Sequence, residues 1–210
     1  MELKRTEEGL SLTDGELSVR GDFRNLLPRV TKGRLAGELL VKAAKRNTFG
    51  ADATAIDATA GLGEDSFLLA AAGFSVRMYE RDPVIAELLE DAIARGLRDP
   101  ELSEIVSRME LVKGDSIEGM KELSERPDVI LLDPMFPKRQ KSALVKKKFQ
   151  LIHGLEKPCE NEEELYEAAV SAGPHRLIVK RPVKGPNLAG RKPDYSLTGK
   201  AIRYDCYIFA

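Results

Sequence analysis

From Thr54 to Lys180 the chain alternates between short apolar runs of strand character and longer stretches whose apolar residues recur at helical spacing. The pattern predicts strands at Ala55–Ala58, Ser75–Glu80, Met109–Lys113, Val129–Leu132 and Leu177–Lys180. Helices are predicted between them at Asp65–Ala72, Pro83–Arg95, Ser116–Glu125, near Val145–His153 and at Asn161–Ala172, and Pro83 suits a first helical turn. A helix between two strands carries the chain back over the sheet, so successive strands run parallel and helices cover both faces. The expected fold is therefore α/β, a mostly parallel doubly wound sheet. Ala201–Phe209 breaks the rule, because it follows Ser196-Leu197-Thr198-Gly199 after a turn too short for a crossover and must be antiparallel.

Ahead of this pattern, Leu10-Ser11-Leu12 and Leu17-Ser18-Val19 flank an Asp14-Gly15 turn, which predicts a small β-hairpin. Leu35, Leu39, Leu40, Ala43 and Ala44 predict one amphipathic helix over Arg34–Arg46. Residues 1–48 thus read as a hairpin-and-helix extension and residues 49–210 as the main domain. With 210 residues and 42% hydrophobic content, one core burying roughly 70% of the unfolded surface is expected. The longest apolar stretch, Phe67–Phe74, is too short for a bilayer, and Met1-Glu2-Leu3-Lys4-Arg5 leads into no signal core, so the expectation is a cytoplasmic protein with no membrane partner. Cys159 and Cys206 lack CxxC spacing and the only histidines are His153 and His175, a set that predicts neither a disulfide framework nor a metal site. These residues, and the acids of Glu160–Glu164 near a helix start, read as structural.

Doubly wound sheets bind ligands outside the carboxyl ends of their strands. Asp57-Ala58-Thr59-Ala60-Gly61-Leu62-Gly63 lies there, and Gly61 and Gly63 would let the backbone approach a ligand. The third glycine of a dinucleotide fingerprint is replaced by Ser66, and Glu64 and Asp65 at the helix start would repel a pyrophosphate. Nicotinamide cofactors are thereby disfavoured. Asp57, Glu64, Asp65, Glu80, Asp82, Asp115 and Asp133 all fall near strand ends, an acidic crevice suited to a cationic ligand such as S-adenosylmethionine. Glu80, nineteen residues after Gly61, has close to the spacing of a ribose-binding acid, and Asp115-Ser116 can meet an adenine edge. Asp57 can equally orient its loop, Asp65 can cap its helix, and Asp82 before Pro83 reads as a helix start.

Val129-Ile130-Leu131-Leu132-Asp133-Pro134-Met135-Phe136-Pro137 is a buried strand that ends in a stiff acidic loop. The Asp133 carboxylate and the Pro134 carbonyl are two acceptors for the hydrogens of an exocyclic amine. Phe136 is placed to stack on an unstacked base, with core packing as the plainer role. Lys138, Arg139, Lys141, Lys146, Lys147 and Lys148 follow with no acid between them, and Lys180 and Arg181 end a neighbouring strand. The formal net charge is only -1, so this local concentration is the candidate phosphate-binding surface; a solvated helix face is the alternative.

With these motifs in place, the sequence resembles the RsmJ-type small-subunit ribosomal RNA guanine-N2 methyltransferases. The resemblance is carried by Asp57–Gly63, Glu80-Arg81, Leu132–Pro137, Lys141–Lys147 and Val179-Lys180-Arg181-Pro182, with a weaker echo over Asp22–Ala44. It implies the class I methyltransferase (Rossmann-like) fold, S-adenosylmethionine as cofactor, and ribosomal RNA or the small ribosomal subunit as partner. It further implies cofactor contacts at Glu64-Asp65, Glu80-Arg81, Asp115-Ser116 and Asp133. The chain departs from the family pattern at Glu64 and around Asp115-Ser116. Adenine-N6 methylation of nucleic acid fits the same acidic loop, and a catalytically idle RNA-binding assembly protein or a small-molecule methyltransferase are the competing classes.

Overall fold

A computed structural model describes residues 1–31, 33–45, 50, 52–134, 151–152 and 161–209. Three short strands open the chain: β1 (Glu2–Thr6), β2 (Gly9–Thr13) and β3 (Ser18–Val19) pair antiparallel in that order. The Asp14-Gly15 turn joins β2 to β3 as expected, with Asp14 Oδ1 accepting the N–H groups of Glu16 and Leu17. β1 was not foreseen, because Glu2–Thr6 is largely exposed and has no apolar alternation; its pairing with β2 is what makes it a strand.

The predicted helix over Arg34–Arg46 is not continuous. Short helix α1 (Leu27–Val30) is followed by a 3-10 turn at Leu35–Gly37 and then by α2 (Leu39–Ala44), with Glu38 in extended backbone between them. Glu38 accepts a two-pronged pair of bonds from the Arg29 guanidinium, both 2.9 Å, so a tertiary ion pair replaces the helical turn that spacing alone suggested.

The alternating region follows the predicted order: β4 (Thr54–Asp57), α3 (Glu64–Ala71), β5 (Ser75–Glu80), α4 (Pro83–Gly96), α5 (Ser103–Val106), β6 (Met109–Lys113), α6 (Ser116–Lys121), β7 (Val129–Leu132), α7 (Glu162–Ser171), β8 (Arg176–Pro182), β9 (Tyr195–Thr198) and β10 (Ile202–Ile208). The single turn α5 was not predicted, and α6 stops short of Glu125. Of the helix expected near Val145–His153, only Leu151 and Ile152 are among the described residues, and they are helical and buried. The seven-stranded sheet has the order β6-β5-β4-β7-β8-β10-β9, and β10 alone runs against its neighbours.

Every residue of β7 is buried, as a central parallel strand with both faces covered requires. Its alternate residues divide between two cores: Val129 and Leu131 join Phe67, Met78 and Ile178, while Ile130 and Leu132 join Tyr79, Met120, Leu165 and Val179. The N-terminal segment shares the first core. Phe23 stacks on Phe67 of α3 with ring centroids 5.1 Å apart, Leu40 and Val41 are buried beside them, and Arg176 donates to the carbonyls of Ala43 and Lys45. β2 and β3 contribute Leu10, Leu12 and Val19 to a third cluster with Ile85 and Leu88 of α4.

Candidate active site

The carboxyl ends of β4, β5, β6, β7 and β8 lie along one edge of the sheet, and the strand order reverses between β4 and β7. Open α/β sheets place their ligand crevice at such a reversal. The loop after β4 is tied down on both sides: Ala58 N–H bonds to Leu131 O and Ala60 N–H to Tyr79 O. Asp57 is nearly inaccessible, receives the Ser66 hydroxyl at 2.6 Å and the Thr59 N–H at 3.1 Å, and orients its own loop. Burial pushes its carboxyl up to about 7, against the pull of the Ser66 bond. Ser66, which replaces the third glycine of a dinucleotide fingerprint, thus has a defined task that its small polar side chain alone did not announce.

Gly61 and Gly63 both adopt positive φ, at 55° and 77°. Gly63 differs from the expected role. A Cβ there would lie 2.7 Å from Leu89 and 3.4 Å from Phe23, so protein fills the space a ligand was expected to approach. Glu80 is buried and bridges two loops, accepting the Gly61 N–H at 2.9 Å through Oε2 and the Asp82 N–H at 2.8 Å through Oε1. Burial raises its carboxyl above the ordinary value. Asp82 caps α4 through the N–H groups of Val84 and Ile85, as anticipated. Asp115 likewise caps α6, with Ser116 buried behind it. Glu64 and Arg81 are exposed at the rim, and α3 is preceded by Gly63 rather than capped by Asp65.

Across the crevice, the Asp133 N–H donates to Thr59 Oγ1 at 2.7 Å, which links the loops after β4 and β7. Its Oδ2 lies 2.7 Å from Lys180 Nζ, and the same ammonium lies 2.6 Å from Asp65 Oδ2. Burial works against the Lys180 charge, but Asp65 and Asp133 outweigh it and hold the ammonium's pKa above its usual value. Tyr204, opposite Lys180 in the β8–β10 register, is buried beside the cluster, and burial raises its hydroxyl's pKa. Pro134 is buried; Phe136, Lys138, Arg139, Lys141, Lys146, Lys147 and Lys148 lie outside the described residues.

Two of the expected phosphate ligands are corrected. Lys180 is committed to two carboxylates in the crevice. Arg181 has a fully buried side chain and pairs with Glu162 at 3.2 Å, on the opposite face of β8. Adjacent strand residues point to opposite faces, so the pair cannot act together on one RNA surface. Glu162 therefore does more than complement the dipole of α7. Thr59 and Ser66 are the site residues that the sequence reading missed; both lie in or beside the Asp57–Gly63 loop, but only their tertiary partners reveal them. Among the described residues no group of three His, Cys, Asp or Glu side chains is arranged to hold a metal, and no helix is long and apolar enough to cross a membrane.

Comparison with known proteins places these features in context. A family described as "Putative SAM-dependent methyltransferase" matches residues 1–209. A protein of Pseudomonas savastanoi pv. phaseolicola named ribosomal RNA small subunit methyltransferase J is 43% identical over 212 residues, covering 98% of this chain and 78% of its own length. A Pseudomonas fluorescens protein of the same name is 43% identical over 208 residues, covering 96% and 80%. The crystal structure of a SAM-dependent methyltransferase from Neisseria gonorrhoeae superposes with a TM-score of 0.79 at 34% identity, over 98% of this chain and 81% of that one. The rRNA methyltransferase AviRa of Streptomyces viridochromogenes, at 17% identity and a TM-score of 0.55 over 83% of this chain and 84% of its own, shares the fold.

Proposed function

The chain belongs to the S-adenosylmethionine-dependent methyltransferase family that spans it from residue 1 to 209, and we propose that it methylates the exocyclic N2 amine of a guanine in 16S ribosomal RNA. The observation that carries this reading is Asp133. It stands at the carboxyl end of β7 beside the reversal of strand order, its side chain retains 37% of its exposure, and Pro134 follows it. The names of the relatives and the resemblance of the Asp133–Pro137 loop supply the choice of substrate.

The residues of the crevice suit the cofactor. Asp65, Glu80 and Asp133 set three carboxyl groups against the ammonium of Lys180, with the buried Asp57 behind them, a balance that favours a ligand with net positive charge. Glu80 is proposed to take the ribose hydroxyls, Asp115 and Ser116 the adenine edge, and the Gly61 turn with Glu64, Asp65 and Arg81 the remainder. When bound, S-adenosylmethionine would supply a methyl group from its positively charged sulfur, which keeps the C–S bonding pair, while the amine's lone pair makes the N–C bond and one N–H proton is released to water. Asp133 and the Pro134 carbonyl accept the amine's hydrogens and draw its lone pair out of conjugation with the ring. Phe136 is assigned to stacking on the extruded base, and residues 138–148 to its flanking phosphates, with the small ribosomal subunit or its RNA as the cytoplasmic partner. Such transfer needs no metal. Residues 1–48 are proposed to act as an extension buttressing the domain of residues 49–210.

The test is transfer of labelled methyl groups to small subunits from a strain lacking this protein, followed by nucleoside analysis. N2-methylguanine is the expected product. Label on N6 of adenine would change the substrate base, and transfer to neither would overturn the reading.

A further inference from the structure

Lys180 sits on β8 opposite Tyr204 of β10, one residue past Val179, where the pairing of β8 with β7 ends. Its ammonium joins carboxylates from two other elements, Asp65 of α3 at 2.6 Å and Asp133 after β7 at 2.7 Å. Asp133 is thereby held at two points, its N–H on Thr59 Oγ1 and its Oδ2 on Lys180, and Oδ1 has no partner among the described residues. A carboxylate gripped at one oxygen cannot rotate freely, and its second oxygen is presented in a defined direction.

We propose that Lys180 is the positioning residue of the amine-holding loop, gripping Oδ2 of Asp133 so that Oδ1 stays available as an acceptor for the substrate amine. This rests on the function proposed above. The charges around the pair give the grip a second consequence. Asp133 is flanked by Asp65 on α3 and Asp57 on β4, with Tyr204 of β10, Arg181 of β8 and Arg29 of α1 as the other titratable groups packed about the cluster. Arg29 is engaged with Glu38 and Arg181 with Glu162, and Lys180 is the cation within hydrogen-bond distance of both Asp65 and Asp133. Burial raises the Asp133 carboxyl and Lys180 opposes that rise, so without the ammonium the carboxyl would shift further toward its protonated form, a poorer acceptor for an amine.

The experiment compares the full chain with Lys180→Met and Lys180→Arg, after thermal unfolding has shown each to be folded. In Lys180→Met, kcat at neutral pH should fall at least about tenfold, and the acidic limb of the kcat profile should move up by about 1–3 pH units, the usual reach of one opposite charge. Lys180→Arg should return the limb to its original position and restore part of kcat. A carbon-13 titration of the Asp133 carboxyl, identified by its loss in Asp133→Asn, should show the same upward move in Lys180→Met without reference to turnover. An unchanged acidic limb, or a carboxyl that titrates alike in both proteins, would overturn the proposal. A wild-type protein that methylates no RNA, with the carboxyl still moving, would overturn the functional reading while upholding the grip of Lys180 on Asp133.

Discussion

On the β4–β5 side of the crevice the acids bond to neutral donors, mostly backbone N–H groups: Asp57 to the Thr59 N–H and the Ser66 hydroxyl, Glu80 to Gly61 and Asp82, Asp82 to the first turn of α4. On the β7–β8 side Asp65 and Asp133 share a lysine ammonium instead. A backbone donor is fixed by the fold and cannot follow a moving acceptor, so the first side is a frame that shapes the Asp57–Gly63 loop. The second side instead depends on one side-chain cation shared by two carboxylates, so a single substitution can release both. Just behind it, β10 supplies a rigid brace. Arg203 grips Asp205 through two bonds and donates to the carbonyls of Pro182, Val183 and Gly185 and to Asn187, which locks the loop after β8.

The largest expected effect falls on that brace. Arg203→Met leaves the inaccessible carboxylate of Asp205 without its cation, and loss of one partner of a buried pair costs about 3–5 kcal/mol. Denaturant unfolding should show the loss; a change under 1 kcal/mol would mean the loop after β8 is held by other contacts. Next, Asp133→Ala should lower kcat by about 10²-fold or more with cofactor affinity nearly unchanged, since it removes orientation of the amine and not of the methyl donor. Equal losses in both would erase the division of labour between the two sides.

Glu80→Ala probes the frame. It should weaken S-adenosylmethionine binding by about 1.5–3 kcal/mol in calorimetry and lower the melting temperature as well, because the Gly61 and Asp82 N–H groups lose their acceptor. Affinity unchanged would remove Glu80 from the cofactor site and leave it only as a loop staple. Per pH unit, the smallest effect is a pH slope. With its folded-state carboxyl at about 7 against 3.8 unfolded, Asp57 keeps its proton in the native protein while the unfolded chain has released it between about pH 4 and 7. Its contribution is present below that window and is lost as pH rises through it, by up to about 1.4 kcal/mol per pH unit. Asp57→Asn cannot titrate, so its stability relative to wild type should improve from pH 4 to 7; parallel curves would mean Asp57 is ionised within the frame.

From β4 onward the succession of parallel strands and longer helices, the one reversed strand and the position of both crevice loops were legible in the sequence, because periodicity and the chemistry of Gly and Pro act over a few residues. β7 illustrates this: Val129–Leu132 is a continuous apolar run ended by Asp133-Pro134, and no distant contact is needed to read it. What each charge does was decided only by the tertiary structure. Asp57, Glu80 and Asp133 look alike along the chain, yet two are held by neutral N–H and O–H donors and one by an ammonium, since burial and partner set a carboxyl group's role. Lys180 and Arg181 read as one basic pair, but strand alternation sends one into the crevice and the other beneath α7. Lys180 meets Asp65 across 115 residues of sequence, a contact that only the stacking of α3, β7 and β8 creates.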